Sequence, residues 1–112
     1  MNYNVISELP CREMAPGITM RQVHLKNVMV TFVELEEGAV VPPHSHEHEQ
    51  ISIVISGTLF FNVEGKERMV KSGEAVLIPS GAEHSVSAIS GPAVAYDCFS
   101  PVRKDYIRAL ES

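Results

Sequence analysis

At 112 residues, with 45% apolar and 21% charged positions, the chain has the size and balance of one ordinary globular domain and cannot also hold a separate cofactor domain. A net charge of -5 without a Lys/Arg cluster argues against a nucleic-acid partner, and no apolar run approaches membrane-spanning length. The opening Met1-Asn2-Tyr3-Asn4-Val5 lacks the basic start and apolar core of a signal peptide, so a cytoplasmic chain is expected.

Cys11 and Cys98 lie far apart and match no CxxC or nucleophile pattern; they read as ordinary thiols. From Ile18 onward short β-prone runs alternate with glycine turns. Strands are expected at Val28–Leu35, Ala39–Val41, Gln50–Ser56, Thr58–Val63, Glu67–Val70, Glu74–Ile78, Glu83–Ile89 and Ala93–Phe99. Runs this short and evenly spaced indicate an antiparallel sandwich or barrel. The turns at Gly38, Gly57, Gly65, Gly73, Gly81 and Gly91 supply the residue that positive φ favours. Helix is confined to the ends, chiefly Arg103–Glu111. The Phe60-Phe61 pair implies that both faces of its strand are covered, one by the core and the other by a dimer partner or the N-terminal segment.

The run Pro42-Pro43-His44-Ser45-His46-Glu47-His48-Glu49-Gln50 carries the clearest chemistry. Its three histidines stand at alternate positions with Gln50 on the same parity. In an extended strand such side chains share a face, so His44, His46 and Gln50 can converge on one metal ion. Buried together without a partner they would be costly, and a metal resolves that cost. His48 has three readings: a ligand, a proton carrier at the site mouth, or a solvent-facing residue where the strand bends. Glu49 would reach the site only through a bulge, and His24, isolated in sequence, reads as a surface or hydrogen-bonded residue. Near the other end Asp97 and Phe99 share a strand face that points inward if Val94 and Tyr96 point out. A carboxylate aimed into a barrel needs either a salt bridge, with Arg103 or Arg21, or a function.

The spacing Gly38-x5-His44-x-His46-x3-Gln50-x6-Gly57 resembles the first cupin motif, and Gly73-x5-Pro79-x-Gly81-x2-His84 resembles the second. The resemblance implies an all-β fold, a double-stranded β-helix or jelly-roll barrel, with a short C-terminal helix. On that basis residues 1–112 form a single cupin domain with motif one at 38–57 and motif two at 73–84. It implies His44, His46, Gln50 and His84 as ligands of a divalent transition metal, with Ni, Zn, Mn, Fe and Co all compatible with such N/O donors. Gln50 stands where cupins usually carry Glu, and Ala88 where the second motif usually ends in Asn. The second exchange is a minor structural one. The first leaves the metal charge uncompensated, with an unscreened upper bound of about 4 kcal/mol for one unit charge at ~4 Å and an effective dielectric near 20.

The Asp97-x-Phe99-x3-Arg103 pattern is similar to that of the small cupins of pectin and alginate breakdown, the pectin degradation protein type, which also pair three histidines with a glutamine. That resemblance implies opening of 4,5-unsaturated uronate monosaccharides to linear 4-deoxy-5-keto acids, with Asp97, Phe99 and Arg103 in the active site. It further implies a small anionic sugar-like substrate and a homodimer, with no nucleic-acid or membrane partner. Two other classes fit the same motifs: another metal-dependent cupin enzyme, such as an iron dioxygenase, and a non-catalytic cupin that holds a small molecule.

Overall fold

Burial alternates along the strands, and the alternation explains how the chain is layered. In Ile18–His24 the residues Ile18, Met20 and Gln22 turn inward; in Glu49–Ser56 the inward set is Gln50, Ser52 and Val54. The computed structural model describes residues 2–111, apart from the side chains of Leu110 and Glu111. After a 3₁₀ turn at Ile6–Glu8 the strands are β1 (Arg12–Ala15), β2 (Ile18–His24), β3 (Met29–Leu35), β4 (Val40–His44) and β5 (Glu49–Ser56). There follow β6 (Thr58–Val63), β7 (Lys66–Lys71), β8 (Ala75–Ile78), β9 (His84–Ser87), β10 (Ala93–Ser100) and helix α1 (Lys104–Glu111). Among the described residues no helix is long and apolar enough to cross a membrane.

The strands form two antiparallel sheets, one six-stranded in the order β1-β2-β3-β10-β5-β8 and one four-stranded in the order β4-β9-β6-β7. Val54, Leu59, Phe61, Val70, Ala88 and Ala95 interlock between them as the main apolar core. The expected all-β jelly roll with a short terminal helix is therefore the observed fold. Ala88, at the position where the second motif usually has Asn, is fully buried, and its backbone amide and carbonyl bond Ala39 and Gly38.

One strand boundary and two whole strands depart from expectation for physical reasons. The prolines of Pro42-Pro43 suggest an end at Val41, yet the strand continues to His44. Strand β4 lies at a sheet edge with a register shift between Val41 and His44, where missing amide donors are tolerated. Strands β1 and β2 were absent from the expected set because their inward residues include Met14, Met20 and Gln22, which blur the apolar alternation. Phe60 is half-buried between its register partners Met69 and Ser87. The N-terminal strand β1 joins the other sheet.

The chain passes from one sheet to the other at Gly57, between β5 and β6. Its φ is 76°, and an added Cβ would lie 2.4 Å from the Pro92 carbonyl oxygen and 2.9 Å from Ala93 Cα. Gly65, at φ 81°, has open space around the same position. Gly57→Ala should therefore lower unfolding free energy by roughly 3 kcal/mol, and Gly65→Ala by about 1 kcal/mol, in urea titrations followed by circular dichroism. Equal effects would show that the backbone contact at Pro92 does not restrain this crossing.

Candidate functional site

Strand pairing brings the predicted site residues together from four parts of the chain. His44 at the end of β4 lies directly opposite His84 at the start of β9. In the other sheet Gln50 of β5 lies opposite Phe99 of β10, and Ser52 opposite Asp97. His46 comes from the loop between β4 and β5. The rings of His44 and His84 are 4.2 Å apart, those of His46 and His84 5.0 Å, and His46 packs edge-on against Phe99 at 5.8 Å.

The three imidazoles of His44, His46 and His84 place their ligand nitrogens within 4.8 Å of one another, a group that could hold a metal ion. Each Nδ1 lies against a backbone carbonyl: His44 on Pro42 at 2.9 Å, His46 on His48 at 3.0 Å and His84 on Ala82 at 3.0 Å. A carbonyl only accepts, so each Nδ1 carries a proton, and in the neutral ring Nε2 is then the nitrogen that presents a lone pair. Burial lowers the proton affinity of His46 and of His84, aided by the positive charge of Arg103, and keeps both neutral at neutral pH.

Two features make the donor set fit a cation. His46 Nε2 and Gln50 Oε1 are 3.1 Å apart, yet the His46 proton is committed to His48 and the Gln50 amide donates to Ser52 Oγ at 2.9 Å. Two acceptors at that separation repel unless positive charge lies between them. His84 Nε2 is also buried and has no hydrogen-bond partner. Uncharged N and O donors of this kind suit a divalent first-row metal.

Three further residues named from the sequence stand around or apart from this group. The chain leaves strand geometry after His44 and resumes it at Glu49, so parity does not carry through the bend. His48 accordingly stands outside the three-histidine group, with its ring 5.4 Å from that of His46. It contributes instead the carbonyl that orients His46. Glu49 is exposed, and His24 is an exposed residue whose Nδ1 meets the Leu25 carbonyl at 3.1 Å.

Asp97 faces the same cavity, of about 280 Å³, whose lining includes His44, Gln50, His84, Phe99 and Arg103. Among the described residues neither arginine considered for it forms an ion pair with it. Arg103 binds both carboxylate oxygens of Asp105, at 3.1 and 2.9 Å, and Arg21 donates to the Leu9 carbonyl. Burial raises the Asp97 pKa from 3.8 to about 6, against the opposing pull of Ser52, Gln50 and the Arg103 charge. Arg103 is further held over the Tyr106 ring at 4.1 Å and the Phe99 ring at 5.2 Å.

Ser52 and Tyr106 also line the cavity and were not singled out from sequence. Ser52 shares the inward parity of Gln50, so its place is legible in the sequence. That of Tyr106 is not, because α1 meets the barrel by packing and not by strand register. Its ring packs edge-on against Phe99 at 5.9 Å, and the Arg12 guanidinium lies 5.5 Å from its centroid.

Residues 31–99 match the family described as Cupin domain. The chain is 31% identical over 107 residues to the pectin degradation protein KdgF of Dickeya dadantii, covering 94% of this chain and 97% of that one. It is also 31% identical over 75 residues to an oxalate-binding protein of Thermotoga maritima, covering 66% and 62%. The solved structure of KdgF from a Halomonas species superposes with a TM-score of 0.89 at 30% identity, covering 95% of this chain and 98% of that one. An RmlC-like cupin from Shewanella frigidimarina superposes equally well, with a TM-score of 0.89, but at 21% identity bears on fold alone.

The raised pKa of Asp97 has a consequence for stability. Its folded carboxyl binds the proton more tightly than the unfolded one, so its contribution is most favourable below the unfolded value of 3.8 and declines as pH rises to about 6. In chelator-treated protein Asp97→Asn should raise unfolding free energy at pH 8 by on the order of 2 kcal/mol, with the gain largely gone near pH 4. Denaturant titrations at the two pH values measure this, and a gain independent of pH would refute the burial of an ionised carboxylate.

Proposed function

The chain belongs to the cupin family, in the type represented by the pectin degradation protein KdgF, and from that premise we propose that it opens the ring of 4-deoxy-4,5-unsaturated uronates. The product is the linear 4-deoxy-5-keto uronate. The observation that carries this reading is Asp97: a carboxyl with a raised pKa, unpaired by arginine, opposite Ser52 and beside Gln50 in one cavity with His44 and His84.

The reaction is an isomerisation in which no water or oxidant is consumed. The anomeric hydroxyl loses its proton as the carbonyl forms at C1; the bond from C1 to the ring oxygen breaks, and its electrons become an enolate across C4, C5 and that oxygen. Protonation at C4 then gives the 5-keto acid. Asp97 takes the hydroxyl proton and returns it at C4, a role matched to a carboxyl whose pKa lies near 6. A divalent metal held by His44, His46, His84 and Gln50 would supply Lewis-acid stabilisation of developing oxygen charge.

Arg103 is assigned to the substrate carboxylate. Its Nε and Nη2 engage Asp105, so a second carboxylate would meet the Nη1 side of the guanidinium. The clamp by Asp105 and the two aromatic rings preorganises that donor. Phe99, buried against His46, forms one wall of the sugar site.

The match to an oxalate-binding protein supports a second reading, a cupin that holds a small carboxylate without transforming it. The two readings separate on Asp97. With metal-loaded protein and unsaturated galacturonate, loss of enol-ether ultraviolet absorbance should be faster than the spontaneous reaction, and Asp97→Asn should reduce kcat by roughly 10²–10⁴-fold while metal content is retained. A wild-type rate equal to the spontaneous one, or oxygen uptake with ferrous iron, would refute ring opening. Unchanged turnover in Asp97→Asn would remove the assigned proton carrier.

The setting proposed is cytoplasmic, in keeping with two free thiols, Cys11 being exposed. The assembly proposed is a homodimer. Ile51, Ile53, Ile55 and Leu77 remain 36–69% exposed on the outer face of β5 and β8, with Ile51 and Leu77 direct register partners. Light scattering on a sizing column should give twice the chain mass for wild type and a monomer for Ile53→Lys; a monomeric wild type would overturn this assignment.

A further inference from the structure

Across four strands of the larger sheet the inward residues at one level are all polar. Gln22 of β2 pairs with Thr31 of β3, Thr31 with Asp97 of β10, and Asp97 with Ser52 of β5. The adjacent level beyond them is apolar: Met20, Val33, Ala95 and Val54. Asp97 and Ser52 belong to the site already described. Gln22 and Thr31 do not, and both are buried, at 7% and 0% exposure.

Their polar atoms are incompletely used. Gln22 donates through Nε2 to the Tyr106 carbonyl at 3.2 Å, while its Oε1 is buried without a partner. Thr31 Oγ1 is also buried without a partner, and Thr31 lines the cavity. A third such atom, Arg12 Nη2, belongs to the guanidinium beside the same Tyr106. Native proteins rarely leave such groups unpaired, so each orphan needs an explanation, and a bonding partner from outside the chain is one that suits an orphan on the cavity wall. His84 Nε2, in the same cavity wall, is an orphan of the same kind.

We propose that Thr31 and Gln22 form a hydroxyl-recognition subsite that continues the polar row from Asp97 and reads the hydroxyl-bearing side of a uronate ring. This rests on the proposed uronate substrate and specifies which part of it selects the ligand. The chemistry is complementary. Arg103 suits a carboxylate, whereas a neutral amide oxygen and a hydroxyl suit vicinal alcohols, which donate to Gln22 and exchange donor and acceptor roles with Thr31. Val33, Leu59 and Phe61, elsewhere in the cavity lining, offer a hydroxyl nothing.

Calorimetry on metal-loaded protein tests the subsite with two probes, D-galacturonate and tetrahydropyran-2-carboxylate, the latter a uronate ring without hydroxyls. Wild type should bind galacturonate roughly tenfold more tightly than the hydroxyl-free ring. Thr31→Val and Gln22→Met should each lose most of that preference while holding the hydroxyl-free ring within about twofold of wild type, and Thr31→Ser should retain it. Thr31→Val should also leave Tm unchanged or higher, because the hydroxyl it removes has no partner among the protein's own groups.

A preference unchanged in both variants overturns the subsite, as does a fall in Tm accompanied by equal weakening toward both probes, which marks a structural role. A preference that vanishes in Thr31→Val, from a wild type that does not turn over unsaturated uronates, would sink the ring-opening reading and leave the subsite standing.

Discussion

The register of β10 between β3 and β5 is the constraint on which this site depends. It sets Phe99 against Gln50, Asp97 against Ser52 and Thr31, and Ala95 against Val54. A slip of one residue would turn Ala95, Asp97 and Phe99 to the opposite face, exposing Phe99 and drawing Tyr96 and Cys98 into the barrel. The apolar level at Ala95 and Val54 is what forbids the slip, because both are buried in the core between the sheets. Packing several residues away thus determines which polar groups meet in the cavity.

The same arrangement sets the site's electrostatics. None of its four candidate donors is a carboxylate, and burial disfavours the charged form of two of the imidazoles, His46 and His84. Asp97 is the carboxylate beside them, and it has been taken out of water without an ion pair. Burying such a group opposes folding, and a residue that opposes folding where a neutral one would fit is a mark of chemistry. Arg103 is close enough to temper that charge, yet it is anchored elsewhere, on Asp105 and two aromatic faces. Arg103 therefore raises the local positive potential without neutralising Asp97 through a direct salt bridge.

Much of the fold was legible from residues 28 to 99, where glycine turns separate strands of β-branched and aromatic residues. The limits were local and physical. Pro42-Pro43 read as a strand end because proline removes donors, but an edge strand does not need all of its donors. Strands β1 and β2 escaped notice because their inward faces carry methionine and glutamine. His48 shared parity with His44 and His46, and that parity lost its meaning where the chain bends between β4 and β5.

The sequence by itself determined the class of fold and the cupin spacing, which follow from turn chemistry, alternation and motif spacing, and through the cupin resemblance it implied the histidines and glutamine as a donor set. Only the tertiary structure decided that Asp97 stands unpaired beside Gln50, that Arg103 is clamped by Asp105, and that Gln22 and Thr31 extend the polar row with unspent hydrogen-bonding capacity. Those facts depend on contacts between strands remote in the chain. Pairing across a sheet is set by which faces the whole core buries, and no local pattern contains that information.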